Sequence, residues 1–458
     1  MKEYLSLIIL YGVIQATISQ NPCILKNAAD ITSNNPAGFV CVCNSTYCDD
    51  LPQLNNLQNN NVAIYRSSLS GQRFYTEQYN LTTASANSND TVITIDSSIK
   101  YQQIHGFGGA FTGTASYNIM KLAYGSRINL MNSYFGQTGN GYTTCRVTLA
   151  ASDFSIKGYS YDDSPGDFNL TNFKLDELED IAYKIPAIQM AQSFAGNNLK
   201  LFGSPWSPPA WMKNNTNISG QADGVIMGSF TGNDSAYWNT YANYFYRDFI
   251  KYFLGPKLKA NALTRDLKIM IWDFNRNNAE NYTDTVLADQ AAASYVDGIA
   301  IHWYDDVQFK INYTVPEHIH AKHPDKWIMN TEACAGWMGK PDDIKGVTLG
   351  NWSRGELYAH DILDNLNHWS TGWVDWNMVL NMTGGPLWQA NPVDAPIIVA
   401  DDNVTFYKQP MFYVLGHFRL FIECTIIYIK YANFYIKCTT VYTQTIFIQF
   451  RVFTDDRS

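Results

Sequence analysis

The sequence predicts an α/β chain: a (β/α)₈ TIM barrel with an additional β-rich, sandwich-like domain. Three observations carry this. Short β-branched or apolar runs recur through residues 101–400, amphipathic stretches of helical length lie between several of them, and polar residues fall at the end of each run. The runs are IHGFGGAF near 104, TTCRVTLA near 143, LKLFGSPW near 199, LKIMIWDF near 267, GIAIHWY near 298, WIMNTEA near 327 and GWVDWNM near 372. ELEDIAYKIPAIQMAQSFA is one of the amphipathic stretches. A barrel builds its active face from the C-terminal ends of its strands, where these runs are chemically loaded. A doubly wound sheet loads the same ends. The number of repeats favours the barrel, as does GFGGAF, which lacks the G-x-G-x-x-G phosphate spacing and whose glycines suit tight turns.

Taken in order, residues 1–20 have one lysine, an apolar stretch short for a bilayer and then small, polar residues, the pattern of a secretory signal peptide. Asn-X-Ser/Thr sequons at Asn44, Asn80, Asn169, Asn281 and Asn381 agree with a secreted or luminal glycoprotein. Cys23, Cys41, Cys43 and Cys48 crowd the mature N-terminus. In an oxidising compartment they predict two local disulfides, with the pairing open. A zinc site is the alternative, but flanking histidines are missing. Residues 21–100 are polar and alternate, as in NDTVITIDSSI, so they are expected to form the N-terminal part of the β-rich domain.

Composition narrows the function. Thirty-two Lys and Arg stand against 41 Asp and Glu, a net charge of -9 with no long basic run, which excludes a nucleic-acid partner. His320 and His323 in HIHAKHP are too sparse for a closed metal site, and neither a metal nor a cofactor is predicted. The chain carries 30 Tyr, 24 Phe and 12 Trp. Most such rings are core, yet aromatic platforms also suit sugars.

Trp206, Trp303, Glu332 and Trp376 all fall at run ends and are expected to converge on one cup. Rings that stack on a sugar, one acid for the leaving oxygen and one carboxylate as nucleophile or base are the parts glycoside hydrolysis uses. The plain alternatives are core packing for each Trp, a salt-bridged structural role for Glu332 and a hydrogen-bonded scaffold role for His302. Burying Glu332 costs several kcal/mol unless it is paired. Arg146, in TTCRV, is the candidate partner.

Longer motifs sharpen the reading. QIHGFGGAFTGTASYNI, RVTLAASDFSIKGYSYDDSPGDFNL, FGSPWSPPAWMK, DGIAIHWY, NTEACAG, GWVDWNMVLN and TFYKQPMFYVLGHF together closely resemble animal lysosomal glucosylceramidases, members of glycoside hydrolase family thirty. CVCNSTYC is similar to theirs as well. The resemblance covers most of residues 21–418, with one interruption. It implies a retaining β-glucosidase acting on glucosylceramide at a membrane surface in the lysosomal lumen, with a saposin-like activator and no cofactor. It further implies Glu332 as nucleophile, a glucose pocket lined by Trp206, Trp303, Trp376 and Asn391, and supporting roles for Arg146, His302 and Tyr304. Xylosides and β-glucans are the alternative substrates within the family.

The departures are as informative. The family's acid/base is the glutamate of an Asn-Glu-Pro-type motif ending the fourth strand, and this sequence has no such motif. AYWNTYANYF, similar to the helix before that strand, runs straight into YRDFIKYFLGPKLK, similar to a helix well after it. About one β/α unit, roughly 30 to 45 residues, is missing. Glu280 in NNAENYTD imitates part of the lost motif, but it follows the family's fifth strand. Gly113 stands where the resemblance places a sugar-binding aspartate. Residues 401–418 are expected to return as a strand of the β-rich domain, and likeness ends at Phe418. The tail 419–458 is β-branched and aromatic, with charges at Glu423, Lys430 and Lys437. It lacks strand-turn punctuation and reads as an aggregation-prone segment that leaves the β-domain unfinished. The rival functional reading is a catalytically impaired glycolipid-binding homologue or a truncated gene product.

Overall fold

All seven apolar runs become short strands of one parallel sheet: β1 (Gly106–Phe111), β2 (Thr144–Leu149), β3 (Lys200–Pro205), β4 (Met270–Asn275), β5 (Gly298–His302), β6 (Trp327–Glu332) and β7 (Ser370–Asn377). The structure is a computed structural model that describes residues 21–32, 38–52, 61–80, 94–96, 100–219, 224–228, 236–244, 266–309, 314–337, 344–422, 427–431 and 434–438. Unbroken burial along β1, β5 and β7 marks strands covered on both faces, as parallel sheets require. The glycines of β1 serve close approach as well as turning. A Cβ on Gly108 would lie 1.8 Å from the Thr144 carbonyl oxygen of β2.

The sheet runs β3-β2-β1-β7-β6-β5-β4, so β7 closes onto β1 while β3 and β4 are the two ends. Among the described residues no strand joins β3 to β4. Within the described residues the sheet is therefore open between β3 and β4, the place where the resemblance leaves the fourth strand missing. Leu201 on β3 and Phe274 on β4 are 40% and 58% exposed beside it, the apolar cost of two unpaired edges. Elsewhere the wall is covered. Ala279 and Leu287 on one helix and Val315 and Ile319 on another pack against Ile271, Ile299, Ile301 and Ile328.

A five-stranded sheet, in the order Leu25–Asn27, Phe39–Cys43, Phe406–Lys408, Ile397–Val399 and Val379–Asn381, joins the two ends of the chain. The β-rich unit thus reaches back to Val379, inside the span expected for the barrel. The expected return segment 401–418 is a strand only over Phe406–Lys408. Pro410 then opens a helix to Arg419, its fixed φ suiting the first turn, and this helix packs on the helix Trp352–Asn367. Cys23 pairs with Cys41 and Cys43 with Cys48. Among the described residues the metal-like group Cys43, Cys48 and Asp49 has both thiols in that second disulfide, which removes the zinc alternative.

The tail is strand in part. Ile427–Tyr431 and Phe434–Cys438 pair antiparallel, and the first also pairs with Thr94–Asp96, so this part of the tail adds strands to an N-terminal one. Its β-branched and aromatic content supports pairing without the turn punctuation sought in the sequence. Residues 1–20, the expected signal peptide, lie outside the described residues. Among the described residues no helix is long and apolar enough to cross a membrane.

Behind β4 and β5 a buried polar cluster fixes a pH dependence. Arg276 Nη2 donates to Asp306 Oδ2 at 2.5 Å and to Asn365 Oδ1 at 2.7 Å, and Trp373 Nε1 donates to Asp361 Oδ2 at 2.7 Å. Burial raises both carboxyls, and the neighbouring Asp361 charge pushes Asp306 further up, leaving it the more readily protonated. The folded state therefore binds a proton that the unfolded chain releases near pH ~3.9. The contribution of this cluster to stability is greatest in acid and falls as pH rises above about 4 towards the folded pKa, by up to about 1.4 kcal/mol per pH unit. Asp306→Asn keeps a hydrogen-bond donor but no titration. Its urea midpoint is expected to change less than the parent's between pH of about 4.5 and 7.5.

Candidate active site

Glu332 closes β6 and is 7% exposed. Its burial is explained by its donors. Arg146 Nη1 donates to Oε2, and the Tyr304 hydroxyl donates to Oε1 at 2.9 Å. Tyr304 also meets Cys334 Sγ at 3.3 Å, and its buried phenol is held well above its ordinary pKa, so it stays a donor. Burial works against the Arg146 guanidinium, but two carboxylates more than offset it and raise its pKa.

The second carboxylate is Asp273 on β4, which the sequence reading did not single out. Arg146 Nη2 lies 2.7 Å from its Oδ2, Ser204 Oγ donates to Oδ2 at 2.8 Å, Thr331 Oγ1 donates to Oδ1 at 2.8 Å, and His302 Nε2 is 3.0 Å from Oδ1. Burial pushes this carboxyl up, but Arg146 and His302 outweigh it and hold Asp273 well below the usual carboxylate range. A β-bulge aims it. Ala300 of β5 pairs with Trp272 and Ile301 with Phe274, leaving Asp273 as the extra residue. Trp272 and Asp273 have φ of 80° and 49°, strained for such side chains by about 1–3 kcal/mol each. Alternate strands of a barrel fill a common interior layer. Counted with the missing strand, β3, β4 and β6 are third, fifth and seventh. Their inward residues Ser204, Asp273 and Glu332 therefore meet although the fourth is absent.

Aromatic rings border this network. Trp206, after β3, stacks on Trp376 of β7 with centroids 5.0 Å apart and planes 11° from parallel. Arg146 Cζ is 5.2 Å from the centre of each ring. Phe154 meets Trp376 edge-on at 5.9 Å, and beside it Asp153 accepts from Asn391 Nδ2 at 3.0 Å. Burial, with a smaller contribution from the Glu332 charge, raises Asp153 to about 6 despite that bond. Trp337 packs on Tyr304 at 4.8 Å.

Trp303 is a correction. It is 1% exposed, with its ring edge-on to Tyr358 and Trp373, so it belongs to the core behind the sheet and presents no face to a sugar. Side chains alternate along a strand: inward-facing His302 sends its neighbour outward. His302 keeps its scaffold role, at 3.0 Å from Asp273 and 4.0 Å from Glu332 Oε2. Glu280 lies on the outer helical layer, bonded to His318 and Lys322, which removes it as a replacement acid. His320 stacks on Trp369, and His323 bonds Asp284.

Gly113 is buried, and a Cβ there would lie 2.0 Å from Glu179 Oε2. The Glu179 carboxylate occupies that space and accepts the backbone N–H groups of Ile156 and Lys157 at 2.6 and 3.2 Å, tethering the loop that carries Asp153. Gly113→Ala is expected to destabilise by about 1–3 kcal/mol, since Glu179 must give way in a packed interior. The denaturant midpoint reads this.

Residues 104–247 and 240–422 match the glycosyl hydrolase family 30 TIM-barrel domain. Putative glucosylceramidase 3 of Caenorhabditis elegans is 39% identical over 84% of this chain and 79% of that protein. The lysosomal acid glucosylceramidase of Mus musculus is 36% identical over 90% of this chain and 85% of its own length. The crystal structure of SrfJ from Salmonella typhimurium superposes with a TM-score of 0.71 at 22% identity, over 82% of this chain and 88% of that one, which supports the fold. With the family domain matched along nearly the whole barrel, and with such relatives covering most of its length, the chain belongs to glycosyl hydrolase family 30.

Proposed function

We propose that the chain is a retaining β-glucosidase of the glucosylceramidase type, with its nucleophile in place and its general acid missing. One observation carries this reading: Glu332 ends β6 with both oxygens on fixed donors, Arg146 and Tyr304, in a cup bordered by Trp206. In a retaining site the carboxylate attacks the anomeric carbon while an acid about 5 to 5.5 Å away protonates the leaving oxygen. Asp273 cannot be that acid, because Arg146 and His302 keep it ionised. Asp153 and Asn391 form a carboxylate–amide pair suited to sugar hydroxyls. The spacing between Trp206 and Trp376 leaves no room for a sugar between the rings, and Trp376 is 2% exposed. The sugar therefore stacks on the outer face of Trp206, with Trp376 as its buttress.

Glucosylceramide at a membrane surface is the substrate favoured by the glucosylceramidase relatives. An acidic, lysosomal lumen suits both the name of the mouse relative and the proton held by Asp306 and Asp361. A saposin-like activator belongs to the same proposal. The lost acid and the open seam favour a second reading, a glycolipid-binding homologue without turnover. A 2-deoxy-2-fluoro-β-glucoside bearing dinitrophenolate separates the two. Labelling of the Glu332 peptide, read by mass spectrometry, supports the enzyme, whereas glucoside binding without labelling supports the binding protein.

A further inference from the structure

We propose that Asp273 is a positioning residue that sets the charge felt by the nucleophile, by sharing the Arg146 guanidinium with Glu332; this rests on the glucosidase reading above. One guanidinium serves both carboxylates, Nη1 on Glu332 and Nη2 on Asp273. The partners of Asp273 come from four strands: Arg146 on β2, Ser204 on β3, His302 on β5 and Thr331 on β6. A residue that only joined β4 to β3 across the seam needs Ser204 alone. This one is an extra residue in a left-handed bulge that turns its carboxylate inward to the guanidinium. With two anions on one cation, Glu332 keeps electron density for attack. Without Asp273 the whole positive charge falls on Glu332, which then stays ionised to lower pH and attacks more slowly.

The test compares the parent with Asp273→Asn, Ser204→Ala and Thr331→Val. The labelling rate of the fluoroglucoside is followed between pH of about 3 and 8, alongside thermal unfolding. In Asp273→Asn the acid limb moves down by about one pH unit and the plateau rate falls about tenfold. Ser204→Ala removes the seam hydrogen bond and with it one donor to Asp273, so it lowers the unfolding temperature and moves the acid limb to higher pH, as Thr331→Val does. Thr331→Val is isosteric and strips one donor from Asp273. More of the Arg146 charge is then spent on Asp273, and the limb moves to higher pH, so this variant carries the test if Asp273→Asn does not fold. Unmoved limbs in folded Asp273→Asn and Thr331→Val overturn the proposal and leave Asp273 a structural tie. A ¹³C NMR titration of the Glu332 carboxyl reads the same shifts without turnover. A parent that is not labelled therefore removes the glucosidase reading alone, and the titration still decides this one.

Discussion

Glu332→Gln is expected to abolish covalent labelling by an activated fluoroglucoside and to lower turnover of a dinitrophenyl glucoside by about 10⁴- to 10⁶-fold, the scale on which loss of one member of a catalytic unit acts. The size follows from the mechanism. The amide is nearly isosteric and can still meet Tyr304 and Arg146, but it cannot form the glycosyl ester. Folding should change little, although Arg146 loses one of its two counter-charges while keeping Asp273. Normal unfolding of this variant with no labelling separates chemistry from stability. Unchanged labelling removes Glu332 from its role and points to another carboxylate in the cup, with Asp153 the first to examine.

Much of this arrangement was legible from strand ends. An apolar run closing in Glu332 had to be paid for by a partner, and an arginine inside another run, Arg146 of β2, supplied it. The open seam was legible too, because the seven runs counted in the sequence are the seven strands of the sheet. Trp303 was misplaced because a ring at a strand end suits a cup only when its register faces inward, and the inward position belongs to His302. Asp273 left a faint signal, an acid ending the run IMIWD. Its inward aim depends on a bulge, and nothing in residue order announces one. Asp153 stood inside a quoted motif, RVTLAASDFS, but its pairing with Asn391 joins residues 238 positions apart, which only the closed fold brings together. Gly113 was taken for a lost sugar contact, yet a carboxylate from another element fills its space, and composition cannot reveal that exchange.

The missing acid leads to the other large effect. Departure of an alkoxide such as ceramide's needs a proton in the transition state, whereas dinitrophenolate leaves unassisted. Loss of general acid catalysis costs about 10² to 10⁴ in rate. The chain is therefore expected to form its glycosyl–Glu332 ester readily from the dinitrophenyl glucoside and to handle glucosylceramide slower than an intact relative by about that factor. The same group would deprotonate water in the second step, so the ester should accumulate, giving a burst followed by slow turnover. Azide needs no base. It attacks the anomeric carbon, the ester bond breaks, Glu332 leaves as carboxylate, and β-glucosyl azide forms. Added azide should thus raise the steady-state rate without changing the burst. Glycolipid cleavage at an ordinary rate, with no burst and no response to azide, would mean that a proton donor does reach the leaving oxygen. Asp153, whose carboxyl is raised to about 6 beside Glu332, is then the group whose replacement by Asn should abolish that cleavage.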